Sequence, residues 1–153
     1  VELRRVHRYG GEVSLVMFDL DDFKQVNDRH GHAIGNEVLR QAGGLLRSVA
    51  RDSDVAARFG GEELVLLVRG DERSATTAAM RVVTGLRALR LGEGLRVTCS
   101  AGVATLAGGG DSSALFAAAD EALYEAKRRG KDRVVLARGR ESAGERRRTA
   151  GAA

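Results

Sequence analysis

The chain has 153 residues, of which 43% are hydrophobic and 30% charged, and Cys99 is its single cysteine. This length and balance predict one globular domain and argue against a disordered chain. No stretch approaches the roughly 20 apolar residues of a membrane-spanning helix, and no signal peptide opens the sequence. We therefore expect no membrane contact. A lone cysteine cannot form an internal disulfide, which fits a cytoplasmic location.

The net charge of +4 is concentrated at the carboxyl terminus. From Arg138 onward, five arginines and two glutamates give a net charge of +3, so the remainder is close to neutral. We therefore divide the chain into residues 1–12, the end of a helix that would start before the sequence, a domain over 13–137, and a basic, disordered tail over 138–153. Aromatic residues make up only 4% and form no stacking motif, so we expect no nucleic-acid partner.

Hydrophobic periodicity predicts helices interleaved with at least five strands. The apolar run V-S-L-V-M-F over residues 13–18 is typical of a strand buried on both faces, and acidic residues follow it. Next we expect a short helix over 23–30, a G-H-A-I-G loop, and a helix with Asn36 at its N-cap. The later predicted elements are a hairpin (55–59 and 63–69), a helix (74–89), a strand (95–106), a helix (113–129) and a strand (133–137). This order predicts an α+β domain, a mixed five-stranded sheet with a β-hairpin flanked by helices.

The segment F-G-G-E-E-L over residues 59–64 joins the two strands of the predicted hairpin. Its glycines would let an anionic ligand approach the backbone beside the carboxylates of Glu62 and Glu63. Taken alone, the segment is more typical of a surface turn with solvated glutamates.

Acidic residues at the end of the first strand complete a candidate metal site. Asp19 and Glu62 suffice for Mg²⁺ if a nucleoside triphosphate and water supply the other ligands. For Asp22 we expect only a favourable interaction with the positive end of the following helix. Asp21 fits either role.

Three separated motifs carry a resemblance to a known family. They are D-L-D-D-F-K-Q-V-N-D-R-H-G-H-A-I-G-N (19–36), R-F-G-G-E-E-L (58–64) and A-D-E-A-L-Y-E-A-K-R-R-G-K-D (119–132). Together they resemble the GGDEF family of diguanylate cyclases over residues 13–137. The resemblance implies the palm-like fold of nucleotidyl cyclases and polymerases, and the condensation of two GTP molecules into cyclic di-GMP with loss of two pyrophosphates. Because each domain of the family holds one GTP, it also implies a homodimer, brought together by an N-terminal sensory or dimerisation module.

The resemblance implies a role for each matching residue. Asp19, the backbone carbonyl of Leu20 and Glu62 would hold Mg²⁺, with Mn²⁺ as the alternative. Glu63 would act as a catalytic residue in the same pocket. The substrate would contact phosphate-neutralising lysines (Lys24, Lys127, Lys131), the two glycines of the turn (Gly60, Gly61) and residues near the base (Phe23, Asn27, Asn36). Without the motif, Lys127 and Lys131 would be interpreted as part of a solvated helix face.

Two positions depart from the family pattern. Asn36 stands where the family normally has an aspartate that accepts hydrogen bonds from N1 and N2 of guanine. An amide offers one acceptor and one donor, so it suits guanine less well and the mixed edge of adenine better. We expect weaker selectivity for guanine, by on the order of 1–3 kcal/mol. Leu64 stands where the signature has Phe, which removes apolar contact from the core but no reactive group.

An R-x-x-D motif, Arg51 to Asp54, precedes the hairpin and resembles the family's inhibitory site for cyclic di-GMP. An arginine fork suits a guanine edge or a phosphate, although the same spacing also fits a surface ion pair. Two functions remain open. One is a product-inhibited diguanylate cyclase, which the metal positions and lysines favour. The other is a catalytically weak or silent receptor for cyclic di-GMP or GTP, which Asn36 and Leu64 favour.

Overall fold

The computed structural model describes residues 11–92, 94–107 and 110–138. Most of the helix end predicted over residues 1–12, namely residues 1–10, and all but the first residue of the tail predicted over 138–153 lie outside the described residues. Within them, one sheet of five strands has the order β2-β3-β1-β4-β5. Its strands are β1 (Val13–Leu20), β2 (Val55–Arg58), β3 (Glu63–Arg69), β4 (Cys99–Leu106) and β5 (Val134–Leu136). Strands β4 and β5 are parallel and the other pairs are antiparallel, so the predicted mixed sheet is confirmed.

Helices cover both faces of this sheet. In the described part of the chain they are α1 (Phe23–His30), α2 (His32–Val49), α3 (Glu72–Ala88) and α4 (Ser112–Arg128). None of these helices is long and apolar enough to cross a membrane. Every residue of β1 is buried, because Val16 and Phe18 pack with the core under α1, α2 and α3, whereas Leu15 and Met17 pack with α4. By the same alternation, Asp19 projects toward α4.

The close approach of α4 to the sheet depends on Gly102 in β4. A Cβ at this position would lie 2.3 Å from the Ala119 carbonyl oxygen and 2.3 Å from the Leu123 nitrogen. Because these are backbone atoms of the helix, only glycine fits without moving α4. The last turn of α4 consequently reaches the end of β1.

The predicted start of the second helix is wrong. Helix α2 begins at His32, so the predicted G-H-A-I-G loop is largely helical, and Asn36 lies inside the helix instead of at its N-cap. The N-cap position belongs to Gly31, whose φ of 84° lets the chain turn sharply after α1. This turn allows α2 to begin almost directly after α1 ends.

Other boundaries differ by a few residues. The strand predicted over 95–106 begins only at Cys99, because the backbone of Leu95 bonds back to Leu91 in an isolated bridge. Helices α3 and α4 begin earlier than predicted. The carboxylates of Asp71 and Asp111 accept hydrogen bonds from backbone amides in their first turns and so cap these helices.

Candidate active site

Two carboxylates lie opposite each other on neighbouring strands at the end of β1. The Cα of Asp19 is in register with that of Glu63 on β3. Side chains at directly opposed positions project to the same face, with Cβ atoms about 4.5–5.5 Å apart, and like charges there repel. The Asp19 side chain is only 9% exposed, which strengthens this repulsion. A cation beside the pair would reduce this repulsion.

Lys127 supplies a positive charge at this position. Its Nζ donates a hydrogen bond of 2.6 Å to Oδ2 of Asp19. Lys127, Asp19 and Glu63 line one cavity of about 370 Å³ together with three further polar residues of α4, which are Asp120, Glu121 and Tyr124. These three were not singled out from the sequence. The signal that could have identified them is their helical spacing from Lys127, which places them near one face of α4.

The end of the hairpin turn adjoins the end of β1. The backbone N–H of Leu20 donates a hydrogen bond of 3.2 Å to the carbonyl oxygen of Glu62. The three residues that the resemblance assigns to the metal, Asp19, Leu20 and Glu62, are therefore neighbours at the ends of two adjacent strands. Glu62 is half-buried but does not line the cavity that Asp19 shares with Glu63.

Arg58 organises the glycine turn, a role that the sequence did not reveal. Its Nε donates to the carbonyl oxygen of Gly60 at 3.0 Å, and its Nη2 donates to that of Gly61 at 2.8 Å. On the other side, the ring of Phe59 stacks on Phe116 of α4, with a centroid distance of 6.1 Å. A Cβ on Gly61 would meet nothing within 4 Å. The turn is thus anchored from the protein side and open on its outer side.

Lys131 is paired with Asp22 instead of standing free in solvent. Its Nζ lies 2.6 Å from Oδ1 of Asp22, and this hydrogen bond raises the pKa of Lys131. Asp22 precedes α1 as predicted, but its side chain makes no capping hydrogen bond there. Lys24, the remaining predicted phosphate contact, is exposed in the first turn of α1.

Asp21 has a structural role that the sequence did not predict. Its carboxylate is buried and accepts hydrogen bonds from three donors. These are the Thr98 hydroxyl at 2.7 Å, the Ser100 hydroxyl at 2.6 Å and the backbone N–H of Asp132 at 3.0 Å. Asp21 thereby ties the end of β1 to β4 and to the segment after α4.

The two asparagines assigned to the base lie in different surroundings. Asn27 packs over Gly35, where a Cβ would come within 1.8 Å of the Asn27 Oδ1 and 3.3 Å of the Phe23 ring. Asn36 is exposed and lines a cavity of about 420 Å³ between α2 and the hairpin. Leu64 lines the same cavity and is buried as predicted, with 5% of its surface exposed.

An ion pair fixes Arg40, another residue that lines the Asn36 cavity. Its Nη2 and Nε donate to the two carboxylate oxygens of Glu37 at 2.7 and 2.9 Å. The hydrogen bonds from Arg40 and then Gln41 lower the pKa of Glu37 to about 2. Glu37 therefore stays ionised and holds Arg40 at the rim of the cavity.

Arg51 and Asp54 lie at the other end of β2 from the glycine turn. Oδ2 of Asp54 accepts a hydrogen bond of 2.9 Å from the backbone N–H of Arg51, and Oδ1 accepts one of 3.3 Å from the backbone N–H of Arg69. The Arg51 side chain is exposed. The four residues of β2 span about 13 Å. Any ligand site here is therefore separate from the site of Asp19, Glu63 and Lys127 at the end of β1, which we call the Asp19 corner.

A cavity of about 610 Å³ between α4 and β5 contains none of the predicted site residues. Alanines of α4 form much of its lining. Its volume exceeds that of the Asp19 cavity, and glutamates and arginines also line it, but it contains neither the opposed pair of Asp19 and Glu63 nor Lys127. We therefore place the candidate active site at the Asp19 corner.

Comparison with known proteins agrees with this geometry. The family model for the diguanylate cyclase GGDEF domain matches residues 1–133. The chain belongs to the GGDEF domain family. Among solved structures, the GGEEF domain of a diguanylate cyclase from Vibrio cholerae superposes with a TM-score of 0.86 at 30% identity, covering 91% of each chain. The GGDEF domain of DgcB from Caulobacter crescentus, in complex with c-di-GMP, superposes with a TM-score of 0.84 at 29% identity, covering 89% of this chain and 84% of that one. The fold expected of this family is thus confirmed.

Curated relatives are longer than this chain. Diguanylate cyclase DgcP of Pseudomonas aeruginosa is 41% identical over 143 residues, which are 89% of this chain and 21% of that protein. Diguanylate cyclase DgcS of Shewanella oneidensis is 36% identical over 128 residues, or 84% of this chain and 43% of that protein. The chain therefore spans between about a fifth and under half of these relatives.

Proposed function

We propose that this domain condenses two GTP molecules into cyclic di-GMP, releases two pyrophosphates, and is inhibited by its product at Arg51 and Asp54. The observation that carries the proposal is the corner at the end of β1. There Asp19 and Glu63 oppose each other beside the glycine turn, with Lys127 close by, in a chain of the GGDEF family.

The donor atoms at this corner fit Mg²⁺, with Mn²⁺ as the alternative. The carboxylates of Asp19 and Glu62 and the carbonyl of Leu20 are hard oxygen ligands. Among the described residues, no group of three or more His, Cys, Asp or Glu side chains is arranged to hold a metal, so a cation here would rely on phosphates and water for its other ligands. When bound, Mg²⁺ neutralises phosphate charge and lowers the pKa of the attacking ribose 3′-hydroxyl.

The residues of the chain bind and align the substrate. Phosphoryl transfer needs little covalent chemistry from a protein and much positioning and charge neutralisation. Lys24, Lys127 and Lys131 supply positive charge, and the open outer side of Gly61 leaves room for a triphosphate. Asn27, pinned over Gly35, holds the base with Asn36 and Phe23. Because each domain would hold one GTP, turnover requires two domains face to face.

A pyrophosphate-release assay with GTP and Mg²⁺, on the domain fused to a dimerising coiled coil, tests this proposal. Glu63→Gln should lower the rate at least a hundredfold, because it removes a carboxylate that would help to hold the cation beside the reacting phosphates. Glu72→Gln is the matched control, since it removes the same charge from an exposed position of α3 that does not line the cavity of Asp19 and Glu63, and it should retain activity. A folded dimer that releases no pyrophosphate would contradict the proposal.

The second candidate function is a catalytically weak or silent receptor for cyclic di-GMP or GTP. It is favoured by Asn36 and Leu64, which line the cavity between α2 and the hairpin. It predicts no pyrophosphate release but intact binding of cyclic di-GMP. In either case Arg51→Ala should abolish tight binding of cyclic di-GMP without changing GTP binding, whereas Arg81→Ala, an exposed position on α3, should change neither. Unchanged affinity of Arg51→Ala for the dinucleotide would count against the assigned site.

We further propose that Asn36 relaxes the selectivity for guanine over adenine. If Asn36 leaves one guanine donor unpaired, Asn36→Asp should raise the preference for GTP over ATP by about 5- to 150-fold, the equivalent of about 1–3 kcal/mol. Competition binding of the two nucleotides measures this ratio. Strong exclusion of ATP by the unmodified domain would contradict the idea.

A further inference from the structure

Residues other than glycine that have a left-handed backbone conformation are concentrated beside the candidate active site. Of the described residues other than glycine, only Asp22, Lys131 and Asp132 have positive φ, with values of 54°, 64° and 49°. Side chains disfavour this conformation, so it persists only where the surroundings impose it. Asp22 lies at the end of β1 and the other two follow α4, and the two segments are in contact.

The backbone around Lys131 is fixed from the protein side. The N–H of Asp132 donates a hydrogen bond of 3.0 Å to the buried carboxylate of Asp21. The carboxylate of Asp132 in turn accepts two hydrogen bonds, of 3.1 and 2.9 Å, from Nε of Arg87 on α3. Lys131 therefore cannot easily move its main chain, and only its side chain is free to change partner.

The side-chain contact of Lys131 is of the exchangeable kind. The side chains of Lys131 and Asp22 are 43% and 50% exposed, and exposed ion pairs contribute little stability. The oxygen of Asp22 lies 2.6 Å from the ammonium nitrogen. A phosphate oxygen is the same kind of anionic acceptor for this group.

We propose that Asp22 is a positioning residue that holds Lys131 in the ligand-free domain and releases it to the triphosphate, so that Asp22 competes with the substrate for this lysine. The proposal rests on the proposed function, because it assigns Lys131 to a phosphate. Binding then exchanges one ion pair for another without moving the backbone. The affinity for nucleotide is lower than it would be with an uncharged residue at position 22.

Binding of a non-hydrolysable GTP analogue with Mg²⁺, measured by calorimetry, tests this exchange. Asp22→Asn removes the charge while keeping the shape, and asparagine tolerates left-handed backbone well. It should tighten binding about two- to fivefold, the equivalent of an exposed ion pair. Asp28→Asn is the matched control, since Asp28 is an exposed aspartate of α1, the helix that Asp22 precedes, and it should leave the affinity unchanged. In a Lys131→Met background, Asp22→Asn should have no effect.

Each outcome of this experiment decides a different question. If the unmodified domain binds the analogue but Asp22→Asn does not tighten binding, the exchange is wrong and the proposed function stands. The exchange is equally wrong if Asp28→Asn tightens binding as much, or if the gain survives Lys131→Met. If the unmodified domain binds no nucleotide, both proposals fail. Asp22→Gly, which also accepts a φ of 54°, replaces Asp22→Asn if the latter does not fold.

Discussion

Replacing Lys127 with methionine should destabilise the domain and make its stability depend on divalent cations. The change leaves Asp19 buried opposite Glu63 without its positive partner. Removing one member of a buried ion pair costs about 3–5 kcal/mol, whereas exposed pairs contribute about 0–1 kcal/mol. Asp19 is 9% exposed and Lys127 is 36% exposed, so we expect a loss of about 1–3 kcal/mol in the free energy of unfolding.

Urea unfolding with and without Mg²⁺ measures this effect. A divalent cation at Asp19 must displace Lys127 from the unmodified domain but meets no such competitor in Lys127→Met. Mg²⁺ should therefore stabilise the variant more than the unmodified domain. Lys24→Met is the matched control, because Lys24 is exposed, and its free energy of unfolding should change by no more than about 0.5 kcal/mol.

Two results would refute this reasoning. If Lys127→Met unfolds at the same urea concentration as the unmodified domain, the pair of Lys127 with Asp19 does not stabilise the fold. If Mg²⁺ stabilises both proteins equally, Lys127 does not compete with a cation for this carboxylate.

Two further predictions concern the region of the base. Gly35→Ala should gain up to about 1 kcal/mol of helix propensity but push aside the Asn27 side chain, whose Oδ1 would lie 1.8 Å from the new Cβ, and it should therefore weaken GTP binding. The control is Gly44→Ala on the same helix, where a new Cβ would meet the end of the flexible Arg47 side chain at 4.0 Å. Normal GTP binding by Gly35→Ala would contradict the role of Asn27. In an NMR titration Glu37 should show a pKa of about 2, so its stabilising contribution is present above about pH 4.5, its ordinary value, and is lost as the pH falls toward 2. Arg40→Ala should return this pKa toward the ordinary value, and an unchanged pKa would show that Arg40 is not its cause.

Much of the fold was predictable because its signals are local. The central position of β1 follows from an almost continuous apolar run, since a strand covered on both faces has no polar side. The helices follow from apolar residues at helical spacing, and the hairpin from a glycine pair between apolar runs. The start of α2 was mispredicted because asparagine is a common N-cap, whereas here Gly31, with its positive φ, makes the turn and Asn36 falls inside the helix.

The types of residue in the candidate site were also predictable, but their partners were not. Sequence motifs alone single out Asp19, Glu63 and Lys127 as carriers of charge. Lys127 contacts Asp19 across 108 positions of sequence, and Lys131 contacts Asp22 across 109. No local pattern specifies such contacts, because they depend on strand register and on the close packing of α4 at Gly102. The chain by itself determined which charges are present, and the tertiary structure alone decided which of them neutralise one another.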